Sequence, residues 1–386
     1  MSNPLISLPQ KWAKTLASPA MSVYILSYLF FLVILTTVLQ VYWGIFVAKK
    51  MVMDAWWIWM PIQGHVLPLL PGGWLVGTLL LVSLSMALLT RIPFTVAKMG
   101  LWIVHFGGIL LVLGAGLSSG LGQEAQLVLE EGQSKNYAQM AHVTELAVQV
   151  STPKGVKEVM FTEPLFLKDN TILKQPELPF EIKVIKSYSN SKMIASEAEK
   201  RAAEPNLATA GMGTGVMIIS QKPVNRDDYR NDPAAYVELL VEGQPMGRYL
   251  LANFIESGQM VTIKDSVYIL AIRPKRLYLP IDVALADFEH KQYPGTTIPS
   301  WFSSKVMIFN PTTNEKREVT ISMNHPLRYD GKTFYQASFG KNDTQSILQV
   351  VDNPTWLMPY FSCALIGLGL ILHFFMAFNR AGRGDN

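Results

Sequence analysis

The stretch that decides the fold is Lys98–Gly122, KMGLWIVHFGGILLVLGAGLSSGLG. After the opening lysine its only ionisable side chain is His105, and the run is long enough to cross a bilayer. A second apolar run, Trp356–Asn379, carries His373. Ionisable groups inside apolar spans are costly and mark functional positions by default, so everything else is read against these two histidines.

Composition agrees with a membrane protein. Of 386 residues, 49% are hydrophobic and 16% charged, too apolar for a wholly soluble chain of this length. The formal net charge of +4 is modest and no basic block is interleaved with aromatic residues, so nucleic acid is not an expected partner. The single cysteine, Cys363, excludes an intramolecular disulfide and a thiolate metal cluster, and its apolar surroundings suggest an inert packing role. No Cys-x-x-Cys-His site is present, so the chain cannot itself carry covalent c-type haem.

Working outward, a tight loop with Arg91 and Lys98 joins the crossing at 99–117 to one at 74–90. Before that, residues 49–73 hold Trp56, Trp57 and Trp59, several prolines and Gly72-Gly73, as expected of an interfacial loop on a lipid bilayer. His65 lies in this loop, either as a functional group or as a boundary residue bonded to headgroups or water. The first crossing, 22–48, is too long for a signal-peptide core. Residues 356–386 supply a fourth crossing and a short tail. Lys11, Lys14, Arg91, Lys98, Arg380 and Arg383 fall on one side of such a bundle, which the positive-inside rule makes cytoplasmic, while Lys49 and Lys50 fall on the other. The expected placement is a bacterial inner (plasma) membrane, with both termini cytoplasmic and residues 123–355 periplasmic.

That long segment reads as mainly β. Alternating or β-branched runs recur at TELAVQV, FEIKVIK, GVMIIS, YVELLV, VTIKDSVYILAI, KVMIF and REVTISM, separated by Gly, Pro, Asn and Asp clusters. An antiparallel sandwich or barrel-like sheet is the economical outcome. Asp330-Gly331 signals a type I′ hairpin turn. Periodicity is lost over 189–215, which reads as a mobile insertion with a short helix at 196–203. The fold class is therefore an α-helical membrane protein with four transmembrane helices, three of them within 1–122, and a large mainly-β extracytoplasmic domain inserted between helices 3 and 4.

His105 lies six residues past Met99 and His373 six before Asn379, so each is about 9 Å into the bilayer from the same face at about 1.5 Å per residue. Two neutral imidazoles at matched depth can act as axial ligands of a haem iron. Gly107, Gly108, Gly367 and Gly369 would remove side-chain bulk beside a flat macrocycle. The plainer alternative is that these glycines serve close helix packing and the histidines bond across helices. His142, His290 and His325, in the β segment, read as ordinary surface or turn residues.

Three strings carry a resemblance. GLWIVHFGGILLVLGAGLSSGLGQEAQLVLEEGQ, LPIDVALADFEHKQYPGTTIPSWFSSKVMIF and MNHPLRYDGKTFYQASF, with the order of three crossings, a large domain and a fourth crossing, resemble the ResB family. The last string matches an Asn-x-Pro-Leu-x-Tyr-x-Gly-x-x-Phe-Tyr-Gln signature through Asn324, Pro326, Leu327, Tyr329, Gly331, Phe334, Tyr335 and Gln336. The family is the β-domain-bearing membrane subunit of the System II machinery for cytochrome c synthesis. The resemblance implies transient, non-covalent haem b and delivery of reduced haem to apocytochrome c outside the cytoplasm, with a ResC/CcsA-type membrane partner. It makes His105 the position matching the family's third-helix histidine, a candidate ligand, while the second ligand is either His373, proposed from depth, or a group on the partner. The segment DAWWIWM does not fit the Trp-Gly-x-x-Trp-x-Trp-Asp haem-handling motif, so this chain is expected to be a non-catalytic subunit of a haem-lyase-type synthase. Two other readings stand beside it. One is a membrane-tethered β-domain scaffold without its own haem. The other is a b-type haem oxidoreductase acting on quinol, which would want two stacked histidine pairs.

Overall fold

The computed structural model describes residues 13–62, 65–152, 155–194, 203–224, 230–340 and 344–382. The helix expected at 196–203 lies, apart from Ala203, outside the described residues. The chain forms two compact units, residues 1–123 with 351–386, and residues 124–350.

The first unit contains helices α1 (Pro19–Val52), α2 (Gly73–Arg91), α3 (Met99–Leu121) and α4 (Met358–Gly382). All four are long and apolar enough to cross a membrane. Ser18 starts α1 by accepting a hydrogen bond from the Met21 amide at 3.2 Å, and Pro19 fits the first turn because its missing N–H is not needed there. Gly44 (φ 72°, ψ 159°) breaks α1 in a conformation that favours glycine. Ser83 ties α2 to the start of α1, donating to the Leu16 carbonyl at 2.7 Å and meeting Ser22 Oγ at 3.0 Å.

The expected loop at 49–73 is instead the last turn of α1 followed by a β-hairpin, Trp57–Ile62 paired with His65–Pro71. The Trp-Ile-Trp alternation explains it. Ile58 is buried against α1 and α2, while Trp57 and Trp59 point the other way and are exposed. Pro61, Pro68 and Pro71 are tolerated because a two-stranded ribbon consists only of edges. Tyr28 Oη pins the hairpin to α1 by donating to the Pro71 carbonyl at 3.1 Å.

The second unit is built on one long antiparallel pair, Ser134–Thr152 with Ser266–Gln292. Its register shifts at Pro274–Arg276 and again at Tyr278–Val283, and the pair serves a different core on either side. Leu146, Val148, Leu270 and Ile272 enter one core, closed by the four-stranded sheet of Gln244–Ala252, Ala234–Val241, Glu181–Tyr188 and Ile172–Leu173. Ala138, Ile281, Val283 and Leu285 enter the other, where Glu315–Ser322 at one end of the ten-stranded sheet packs against Leu327–Tyr329 and Lys332–Gly340 at the other. That sheet is therefore barrel-like. VTIKDSVYILAI, read from its pattern as one run, is a hairpin: Lys264 (φ 47°) and Asp265 (φ 65°) turn between Ile263 and Ser266. Asp330 (φ 48°) and Gly331 (φ 74°) make the expected turn between Tyr329 and Lys332.

Where the two cores meet, Arg273 is buried between Glu145 (Nε to Oε1, 2.9 Å) and Glu158 (Nη2 to Oε2, 2.8 Å). Burial alone would raise the Glu158 carboxyl. Hydrogen bonds from Arg273, Tyr278 and Gln149, with the charge of Arg273, override it and lower the carboxyl to about 2. Removing the guanidinium would leave Glu145 without its cation and Glu158 with only the more distant Arg276, 3.6 Å away. Arg273→Met should therefore destabilise this unit by about 3–5 kcal/mol in calorimetry of the intact protein. Because Glu158 titrates near 2 when folded and near 4.5 when unfolded, its contribution is complete above pH 4.5 and disappears as pH falls from 4.5 towards 2. A Glu158→Gln variant should lose that part of the acid sensitivity.

Candidate functional site

α3 and α4 are packed at backbone contact. A Cβ added to Gly100 would lie 2.5 Å from the His373 amide nitrogen, one on Gly107 2.8 Å from Ile366 Cγ1, and one on Gly114 2.9 Å from Met358 Cβ. These three glycines, seven residues apart, are the buried positions of α3. A seven-residue spacing keeps one stripe on one face of two coiled helices, and in lipid such close van der Waals contact is what holds helices together. From α4, Gly369 answers with its own missing side chain, 2.8 Å from Val104 Cγ2. Arg380 closes the end of the pair by donating from Nη2 to the Ala97 carbonyl at 3.2 Å.

Gly107 and Gly369 therefore belong to the packing seam and open no space for a macrocycle. Gly108 and Gly367 differ: a Cβ on either would meet nothing within 4 Å. The spacing of Gly100, Gly107 and Gly114 was the readable signal for the seam, obscured by the more conspicuous Gly107-Gly108 pair.

The seam also sets the level of the two histidines. With Gly100 beside His373 and Val104 beside Gly369, His105 stands level with Leu368, so the α-carbons of His105 and His373 differ by five residues, about 7.5 Å along the axis. The matched depth expected from counting is not realised, because α4 runs on to Gly382 and the glycine contacts fix a different register. Both side chains lean towards the N-terminus of their own helix, which in this antiparallel pair narrows the gap. Their directions nevertheless differ. His373 is on the stripe facing α3, whereas His105 is roughly 140° round α3 from Gly100 at 100° per residue. They sit on neighbouring helices without forming a facing pair.

Each imidazole has a distinct environment. His105 is half-buried and its Nδ1 lies 2.9 Å from the Leu101 carbonyl oxygen. A carbonyl can only accept, so Nδ1 carries a proton, and whenever the ring is neutral its lone pair is at Nε2, the form that binds metal. His373 Nδ1 is buried with no hydrogen-bond partner among the described residues. His65 opens the second hairpin strand, paired by its backbone with Ile62, at the junction of α1 and α2 and so at the opposite end of the helices from His105 and His373. The structure does not bring it to them.

Elsewhere, Cys363 is exposed on α4 and does not pack inward as expected. His290 is neither in a turn nor on open surface: it lies in a strand with its ring 4.3 Å from that of Phe339, tilted by 39°. His325 does occupy a turn, bridged to Ser322.

Residues 240–347 match the model of the ResB-like family. The chain is also similar to Protein NrfI of Wolinella succinogenes, 27% identical over 272 residues, which cover 70% of this chain and 26% of that protein. Over residues 240–347 the chain is thus similar to the ResB-like family. It spans about a quarter of the length of NrfI. The segment matching the ResB-like model lies wholly in the β unit and contains the Asn324–Gln336 string, whereas the glycine seam lies outside it.

The seam makes a sharp contrast between glycines. Gly100→Ala should lower stability by about 1–3 kcal/mol through overpacking, while Gly108→Ala should leave the melting temperature in detergent unchanged.

Proposed function

We propose that this chain is the β-domain-bearing subunit of a System II cytochrome c biogenesis assembly, in which His105 holds haem b non-covalently as cargo within the bacterial inner membrane. The chain helps deliver that haem, reduced, to apocytochrome c outside the cytoplasm, together with a ResC/CcsA-type membrane partner. The observation that carries the reading is the Nδ1–Leu101 hydrogen bond, because it fixes the His105 tautomer with Nε2 free to coordinate. Gly108, one turn further along α3, leaves the adjacent surface open.

Charge at that end of the bundle suits an anionic porphyrin. Lys98 immediately precedes α3, and Arg380 is held at Ala97, so two cations stand near the start of the helix whose second turn carries His105. Haem supplies the iron and the vinyl groups that attachment requires. The protein's part is to hold the imidazole ring and keep its proton on Nδ1. His373, turned into the seam, is not placed opposite His105, which favours a second ligand from the partner. In this reading the basic helix ends are cytoplasmic and the β unit is periplasmic, where it supplies a docking surface and orientation rather than bond chemistry.

The scaffold reading draws on the family match lying in the β unit. Optical spectra of the detergent-purified protein separate the two. The haem-holding reading expects reduced b-type bands in the wild type, a fall in haem per chain of about tenfold or more in His105→Ala, and retention in His373→Ala. Equal haem content in His105→Ala, or a colourless protein when co-purified with its partner, would support the scaffold instead.

A further inference from the structure

Away from the histidines, a cavity of about 670 Å³ opens between α1, α2 and α3. That is within the roughly 300–1,000 Å³ range of small-molecule sites. Its walls are mainly apolar, and two glycines help to open it: a Cβ on Gly77 would meet nothing within 4 Å, and one on Gly116 only the Trp74 ring at 3.8 Å. Thr36, Thr37 and Thr78 also line it, but each hydroxyl donates to a carbonyl one turn back at 2.8 Å, so they add little polarity.

The break in α1 falls on this cavity. Gln40 and Ile45, on either side of Gly44, both line it. Non-helical backbone at membrane depth persists where it is buried in protein or borders a cavity, so a break at this position points to a built site. Polar groups converge at the hairpin end, where Asp54 accepts a hydrogen bond from Ser119 Oγ and the Lys49 ammonium stands 3.8 Å from the Asp54 carboxylate.

This pairing selects the head group. A phosphate reaching Lys49 would also meet Asp54, so an anionic lipid is disfavoured. A neutral head that both donates and accepts hydrogen bonds is matched on both sides, by the carboxylate and by the ammonium. We propose that the α1–α2–α3 cavity binds a membrane-soluble quinol-type amphiphile, its hydroxylated ring at Asp54 and Lys49 and its apolar tail along Leu29, Val33 and Leu111. The assignment is independent of haem binding at His105.

The test uses the intact protein in detergent, with decylubiquinone and its reduced form as probes. Trp74 is on the cavity wall, so binding should quench tryptophan emission saturably. Gly77→Leu, which fills the cavity, and Asp54→Asn, which keeps its shape, should each weaken binding by about tenfold while retaining the wild-type melting temperature. Should Gly77→Leu fail to fold, Gly116→Leu fills the same space. Added phosphatidylglycerol should not compete. Absence of saturable quenching, wild-type affinity in the filled variant, or displacement by phosphatidylglycerol would each overturn the assignment, the last marking an ordinary lipid groove.

Discussion

The membrane unit depends on the missing side chains of Gly100, Gly107 and Gly114. Helices in lipid gain little from burying apolar surface against one another, so their association rests on how closely their backbones approach. Here the approach is close enough that a single methyl at Gly100 would strike the His373 backbone. Both ends of the pair are then stitched by polar contacts, Arg380 to Ala97 at one and Asn353 Nδ2 to Ser118 Oγ at 2.8 Å at the other. The seam thus decides what His105 can be. It closes the α3–α4 interface to any macrocycle and leaves His105 on a flank, with its outer nitrogen free.

The β unit solves a different problem. Two cores would ordinarily need two sets of strands, but one long pair, Ser134–Thr152 and Ser266–Gln292, runs through both, shifting register where the cores meet. Arg273, Glu145 and Glu158 occupy that junction. An ion cluster there costs desolvation, and it is tolerable because the guanidinium and both carboxylates satisfy one another. Tyr278 adds a hydrogen bond to Glu158, and Arg276 lies over the Tyr137 ring at 4.1 Å.

Much of this was legible in the sequence, in proportion to how local each signal is. The four crossings follow from apolar length alone, and the Asp330-Gly331 turn from the positive φ that both residues must adopt. Residues 57–71 defeated a composition argument because tryptophan and proline suggest an interface, while the period-two placement of Ile58 between Trp57 and Trp59 carried the strand. Lys264-Asp265 was hidden inside an apolar run because lysine is not a typical left-handed turn former and no glycine follows the aspartate. The histidine level could not be read by counting from helix ends, since the register of two helices is a property of their contact. That contact is set by glycines distant in sequence from the residues whose chemistry matters.

The proposed role of His105, rather than of a His105–His373 pair, as this chain's donor to haem is open to a direct test. Replacing His105 with glycine removes the imidazole and leaves a gap at that point on α3, into which free imidazole can diffuse. The account predicts that His105→Gly purified with its partner loses the reduced b-type absorbance and that added imidazole restores it, while His373→Gly keeps the absorbance without help. Undiminished absorbance in His105→Gly, or a loss in His373→Gly that imidazole repairs, would contradict it.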